Sequence, residues 1–288
     1  MKYPLVIAHR GASGYRPENT LEAFRLGILQ QADGIEFDLV TTKDKALIIR
    51  HENALSSTTN VNSLPEFKDK LRLGVLDQHE TKDYFSEDFN LSEIKSMKAI
   101  ERRPELRPGS AKFDGIYGIP TFADLLHQDF IDGKYLVCEI KDGSHLASLD
   151  TAISELLVTV LLDSKVIDNL VIESFNLQLL LESKAALKSA GISAKYFLLL
   201  EDSKLQKVIE HLEDLDGISI SLELLFSNFD WVDFAHQNGK QIWVYTARAE
   251  EADTSIEAYY EKIIQTGVDG IFADQPDLLR RVLEDRAG

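Results

Sequence analysis

Short apolar runs alternate with helix-patterned segments along most of this chain, and that alternation restricts its fold more than any other feature. PLVIAH (4–9), GIEFDL (34–39), YLVCEI (135–140), LVIESF (170–175), AKYFLLL (194–200), GISIS (217–221), QIWVYT (241–246) and GIFAD (270–274) read as strands. Helical patterns separate most of them, at 148–162, 176–189, 203–213, 228–238 and 255–266. Another, NTLEAFRLGILQQ (19–31), puts Leu21, Phe24 and Ile28 on one face, with Asn19 placed to cap it and Glu22 in a capping-box position. Such alternation builds a parallel sheet with crossover helices. A ninth run, ALIIRH (46–51), follows GIEFDL too closely for a parallel crossover, which needs about a dozen residues. It reads as the return arm of a hairpin turning near TKDK, with Asp38 roughly opposite His51. Eight parallel strands remain, and their natural closure is a (β/α)8 TIM barrel.

Residues 52 to about 118 break the rhythm. They are polar and rich in turn formers, with one short helical pattern near 91–97. The expected organisation is a barrel from 1–51 and 119–288, with 52–118 a polar insertion over its mouth. Phe85 and Phe89 with polar neighbours would form a lid that limits substrate size and supplies no catalytic group. DGIEFD at Asp33, DGISIS at Asp216 and DGIFAD at Asp269 form a faint echo, read as a common turn whose glycine closes the preceding helix.

Composition narrows the function. With 288 residues, 44% of them hydrophobic, the chain can bury a large core. A net charge of −17 argues against nucleic acid or an acidic membrane as a general partner, though it leaves room for a local basic pocket. The single cysteine, Cys138, forms no internal disulfide and fits a reducing compartment. Alternation points it away from Glu139 into the core. No apolar run reaches the roughly 20 residues of a membrane span. The start MKYPLVIAHRG lacks a signal peptide's pattern, so the expected compartment is the cytoplasm, or the periplasm or exterior if a leader has been removed.

Barrel active sites lie at the carboxyl ends of the strands. The first strand ends in His9 and Arg10. The second carries Glu36 and Asp38, two apart and on one side, and its return arm ends in His51. The third ends in Glu139 and Lys141, and the seventh near Trp243 and Tyr245. Taken singly, each has a plain structural explanation: solvent-facing charge, a surface histidine or a local salt bridge. Together they gather three carboxylates, two histidines and two cations on one rim. Crowded carboxylates need a cation, and an all-oxygen set suits Mg²⁺ or Ca²⁺ better than Zn²⁺. Arg10 and Lys141 would face an anion shared with that metal, most simply a phosphate. His9 and His51 would then form a general acid–base pair, with His9 as base and His51 as acid. Phe175 and Trp243 would wall the substrate pocket. His79, His127, His145, His211 and His236 fall in helical or loop context and read as surface residues.

AHRGASGYRPENTLEAF, GIEFDLVTTKD, IIRHEN, CEIK, ESFN and GVDGIFADQPD, in this order over nearly the whole chain, closely resemble the glycerophosphodiester phosphodiesterases. The resemblance implies a barrel with a segment inserted after the second histidine. It implies a divalent ion on Glu36, Asp38 and Glu139, catalysis by His9 and His51, and hydrolysis of glycerophosphodiesters to glycerol 3-phosphate and an alcohol. Two departures stand out: Glu52 where many members have Asp, and WVYTAR where many have WTVN. The alternatives are a barrel enzyme resembling lysophospholipase D or phosphoinositide phospholipase, a glycerophosphodiester-binding module without activity, and, by fold analogy, a metal-dependent sugar isomerase. The polar insertion counts against the lipases. The intact histidines and carboxylates count against the module, and the cations beside the metal against the isomerase.

Overall fold

The computed structural model describes residues 3–76, 79–141, 152–164, 167–201, 210–227 and 230–286; His145 and most of the helix expected at 203–213 lie outside them. Its strands are β1 (Leu5–His9), β2 (Gly34–Thr41), β3 (Leu47–Ile49), β4 (Arg72–Leu76), β5 (His79–Asp83), β6 (Tyr135–Ile140), β7 (Leu170–Ser174), β8 (Lys195–Leu200), β9 (Gly217–Ser221), β10 (Gln241–Ala247) and β11 (Gly270–Ala273). Eight of them, β1, β2 and β6 to β11, run parallel, and β1 pairs with both β11 and β2 to close the barrel. β3 returns antiparallel along the end of β2. The register is one residue from expectation: the Arg50 N–H donates to the Asp38 carbonyl, so Arg50, not His51, lies opposite Asp38.

Period-two alternation divides the side chains. Outward residues such as Ile35, Phe37, Cys138 and Ile172 pack beneath the helices in one large cluster. Inward residues Ile7, Val137, Val171, Phe197, Trp243 and Phe272 fill the barrel. The D-G-I echo has a different cause from the one expected. Each aspartate ties its strand's start to the preceding strand: Asp33 accepts from the Val6 N–H (2.8 Å), Asp216 from Tyr196 (2.9 Å) and Asp269 from Ile242 (3.0 Å). Each glycine opens a strand against an aromatic neighbour. A Cβ on Gly34 would lie 2.5 Å from Tyr135, one on Gly217 2.4 Å from the Phe197 ring, and one on Gly270 2.8 Å from Trp243. The positive-φ glycines that follow helices are others, such as Gly191 and Gly239.

The inserted segment is less polar inside than its composition suggests. Leu55, Val61, Phe67, Tyr84, Phe89, Ile94, Met97 and Ala99 pack, together with Ile119 just beyond the segment, onto Val40 and Ile48 of the β2–β3 hairpin. Phe85 and Phe89, expected to face the pocket, are 1% and 0% exposed. Phe85 lies under the Arg72 guanidinium and Phe89 stands edge-on to Phe67. The β4–β5 hairpin has no clear sequence pattern, because its second arm, HETKD, is wholly polar.

Candidate active site

His9 is the last residue of β1, and the chain leaves it in the left-handed region, Arg10 at φ 54° and Gly11 at φ 81°. That turn directs the Arg10 N–H onto Glu36 Oε2 at 2.8 Å. Gly11 allows a close approach, since a Cβ there would sit 2.5 Å from the Ala23 backbone. The helix it packs against, Leu21–Leu29, is capped by Thr20 rather than Asn19. Asn19 instead donates from Nδ2 to Asp38 Oδ2 at 2.7 Å.

Both histidines are anchored through Nδ1 to a carboxylate. His9 Nδ1 lies 2.6 Å from Asp274 Oδ1, and His51 Nδ1 lies 2.6 Å from Glu52 Oε1. On Asp274 the contact with His9, followed by the charges of Arg107 and Arg248, outweighs the effect of burial, and on Glu52 His51 and Arg102 do so. Both carboxylates are therefore held well below their usual range. An ionised carboxylate only accepts, so each Nδ1 carries the proton and each Nε2 keeps its lone pair. Burial and the Arg10 charge lower both histidines to about 4.

Beside them stand the carboxylates of β2 and β6. Asp38, His51 and Glu139 each offer a donor atom within 4.8 Å of the others. Lys141 Nζ lies 2.8 Å from Asp38 Oδ1 and 2.6 Å from Glu139 Oε1. Burial raises Asp38, but Lys141 and Arg10 hold it well below the usual carboxylate range. Burial, then the Asp38 charge, pushes Glu36 well up. Burial also takes Glu139 to about 7, with Asp38 adding to it and Lys141 opposing. The cluster thus holds more carboxylates than its cations neutralise. A buried, oxygen-rich set of this kind fits a hard divalent ion such as Mg²⁺ or Ca²⁺.

A pocket of about 200 Å³ is lined by both histidines, Glu18, Asp274, Ser13 and five arginines: Arg10, Arg102, Arg103, Arg107 and Arg248. Arg10 stands here as the sequence suggests, whereas Arg248 and the three arginines of the inserted segment, Arg102, Arg103 and Arg107, were not foreseen, that segment being expected to form a lid without catalytic groups. No periodic signal could have found those three, because that segment has no regular pattern. Asp274 and the buried Glu173 were findable, since alternation along GIFAD and LVIESF turns both inward. Two expected pocket walls stand elsewhere. Trp243 is fully buried in the barrel interior, against Tyr135 at the start of β6. Phe175 is 43% exposed, edge-on to Tyr245 and outside the pocket lining. His79, His127 and His236 are exposed and His211 partly so.

A closed parallel barrel that carries its ionisable groups at the carboxyl ends of its strands is, as a class, a (β/α)8 barrel of the enzyme type. Residues 9–278 match the glycerophosphoryl diester phosphodiesterase family. A glycerophosphodiester phosphodiesterase of Caldanaerobacter subterraneus is 30% identical over 279 residues, covering 96% of each chain. One of Bacillus subtilis is 25% identical over 290 residues, covering 96% of this chain and 86% of its own. The structure also resembles that of an Oleispira antarctica phosphodiesterase in complex with the product sn-glycerol-3-phosphate. That match has a TM-score of 0.71 and 24% identity and covers 98% and 97% of the two chains. The chain belongs to the glycerophosphoryl diester phosphodiesterase family. Among the described residues, no helix is long and apolar enough to cross a membrane.

Proposed function

We propose that this protein hydrolyses small glycerophosphodiesters to glycerol 3-phosphate and an alcohol, with His9 and His51 as the proton-transfer pair. The observation that carries the reading is that both histidines, each anchored through Nδ1, line one pocket together with Arg10. The names of the relatives supply the substrate class. Arg10 grips the diester anion. His9 Nε2 takes the proton from the attacking oxygen, either water or the substrate's own glycerol hydroxyl. The new P–O bond forms as the bond to the leaving alcohol breaks, and His51, which takes up a proton at Nε2 from water when the diester binds, gives that proton to the alcohol. The diester's negative charge beside His51 raises its readiness to hold that proton. Where the substrate's hydroxyl attacks, water then opens the cyclic phosphate.

Glu36, Asp38 and Glu139 would hold the divalent ion, which supplies neutralisation and polarisation of the phosphate. A second assignment has its own support: His51, not Glu36, shares the compact donor set with Asp38 and Glu139. His51→Gln separates the two. If His51 is the acid, the variant binds Mg²⁺ or Ca²⁺ normally but turns over slowly; if it is a ligand, cation affinity falls too.

The overall test is incubation with glycerophosphocholine and with lysophosphatidylcholine, with and without chelator, followed by product identification. The expected result is glycerol 3-phosphate from the first, lost on chelation and in Glu36→Ala, Asp38→Ala and Glu139→Ala. Full activity in excess chelator, or preferred cleavage of the lysolipid, overturns the reading.

A further inference from the structure

We propose that the insertion assembles the catalytic pair: Arg102 and Arg107 are positioning residues that hold the carboxylate partners of His51 and His9. The inference rests on the acid–base reading above. Arg102 lays its guanidinium across two carboxylates at once. Nη1 and Nη2 donate to the two oxygens of Glu52 at 2.7 Å each. Nε and Nη2 donate to Glu18 at 2.8 Å each. Glu18 in turn accepts from Arg10 Nη1 at 3.0 Å, so the proposed phosphate grip belongs to the same lattice. Arg107 also bridges two carboxylates on the other side, through one hydrogen bond to each. It donates through Nη2 to Asp274, through Nε to Glu250 at 2.7 Å and through Nη1 to the Ser13 carbonyl at 3.1 Å.

These contacts solve a geometric problem for the histidines. Glu52 follows His51 directly in the chain, and its side chain has rotamers that turn away from the imidazole. A fork-to-fork guanidinium contact fixes the carboxylate plane, and with it the imidazole that donates to it. Asp274 is held by two single contacts on Oδ2, from Arg107 Nη2 and from Arg248 Nε at 3.1 Å. Arg102 is the only guanidinium shown on Glu52 among the described residues. Buried ion pairs contribute little net stability compared with an apolar replacement, so the value of this lattice is positional. The orientation of both histidines thus depends on a stretch outside the barrel strands.

The test is steady-state kinetics on glycerophosphocholine for Arg102→Gln and Arg107→Gln, alone and combined with Glu52→Gln and Asp274→Asn respectively. Thermal melting first establishes that each variant is folded. Should a Gln variant not fold, the Lys variant, which keeps the charge but loses the fork, takes its place. The expected result is kcat lower by about 10- to 100-fold with KM within about threefold, and the larger loss for Arg102. Because each arginine acts through its carboxylate, each double variant should be no slower than the carboxylate variant alone. Lys70→Ala, which removes an insertion ion pair with Glu93 away from the pocket, should leave kcat unchanged. A raised KM with kcat intact overturns the proposal in favour of direct substrate contact. Multiplicative losses in the doubles, or a fall in kcat in the Lys70 variant, overturn it as well. If His9→Ala and His51→Ala themselves turn over normally, it is the acid–base reading that has failed.

Discussion

At the scale of single residues, the polarity of each imidazole is the property most open to test. Asp274→Asn keeps the volume but replaces an acceptor with an amide that can donate to Nδ1. The proton would then move to Nε2, leaving no lone pair for the substrate. Turnover should fall by roughly 10³- to 10⁴-fold with the fold intact, as in other carboxylate–imidazole pairs. A stopped-time product assay decides it, and a loss below about tenfold would remove His9 from the chemistry. Residues of this kind were legible where they end a strand. Once the strands were placed, alternation turned His9, Glu36, Asp38 and Glu139 to the same side. Asn19 was misread because Thr20, one position on, makes the better cap, leaving the Asn19 amide for Asp38. Trp243 was misread because alternation gives the face of a strand but not the height along the barrel.

Among the elements, the strand-opening glycines carry a clear expectation. Gly217→Ala places a methyl 2.4 Å from the Phe197 ring and 2.6 Å from the Gln241 carbonyl, where the backbone cannot yield cheaply. Overpacking of this kind should cost about 1–3 kcal/mol, read as a lower denaturation midpoint at unchanged slope. An unchanged midpoint would mean that the barrel floor has slack that the geometry does not reveal. The barrel elements were legible because each strand and each helix states its own period in the sequence. The inserted segment was not. Its short turns and its β4–β5 hairpin are held by tertiary contacts such as Arg72 with Asp88 and Glu87, which leave no local pattern.

For the whole molecule, the carboxylate cluster links cation binding to pH. Glu139, raised from 4.5 to about 7, contributes stability below its unfolded value that is lost as pH rises through the folded one. Glu36 shifts in the same direction. A bound divalent ion must displace those protons, so its stabilising effect should be small near pH 5 and grow towards about pH 8. The histidines, lowered from 6.5 to about 4, act the other way: stability falls as pH drops through that window. Comparing melting temperatures with and without the cation at each pH cancels the His9 contribution. A cation-induced shift that does not change with pH would show that these carboxylates do not bind the ion. The closure of β1 against β11 has a consequence in time as well as in space. His9 and Asp274 stand 265 positions apart, and β1 gains its second neighbour only when β11 has been made. A nascent chain on the ribosome therefore carries His9 long before β11 emerges to bring the Asp274 that orients it. Prematurely terminated products that lack β11 should be catalytically silent, so that synthesis of this one strand serves as the step that switches the site on.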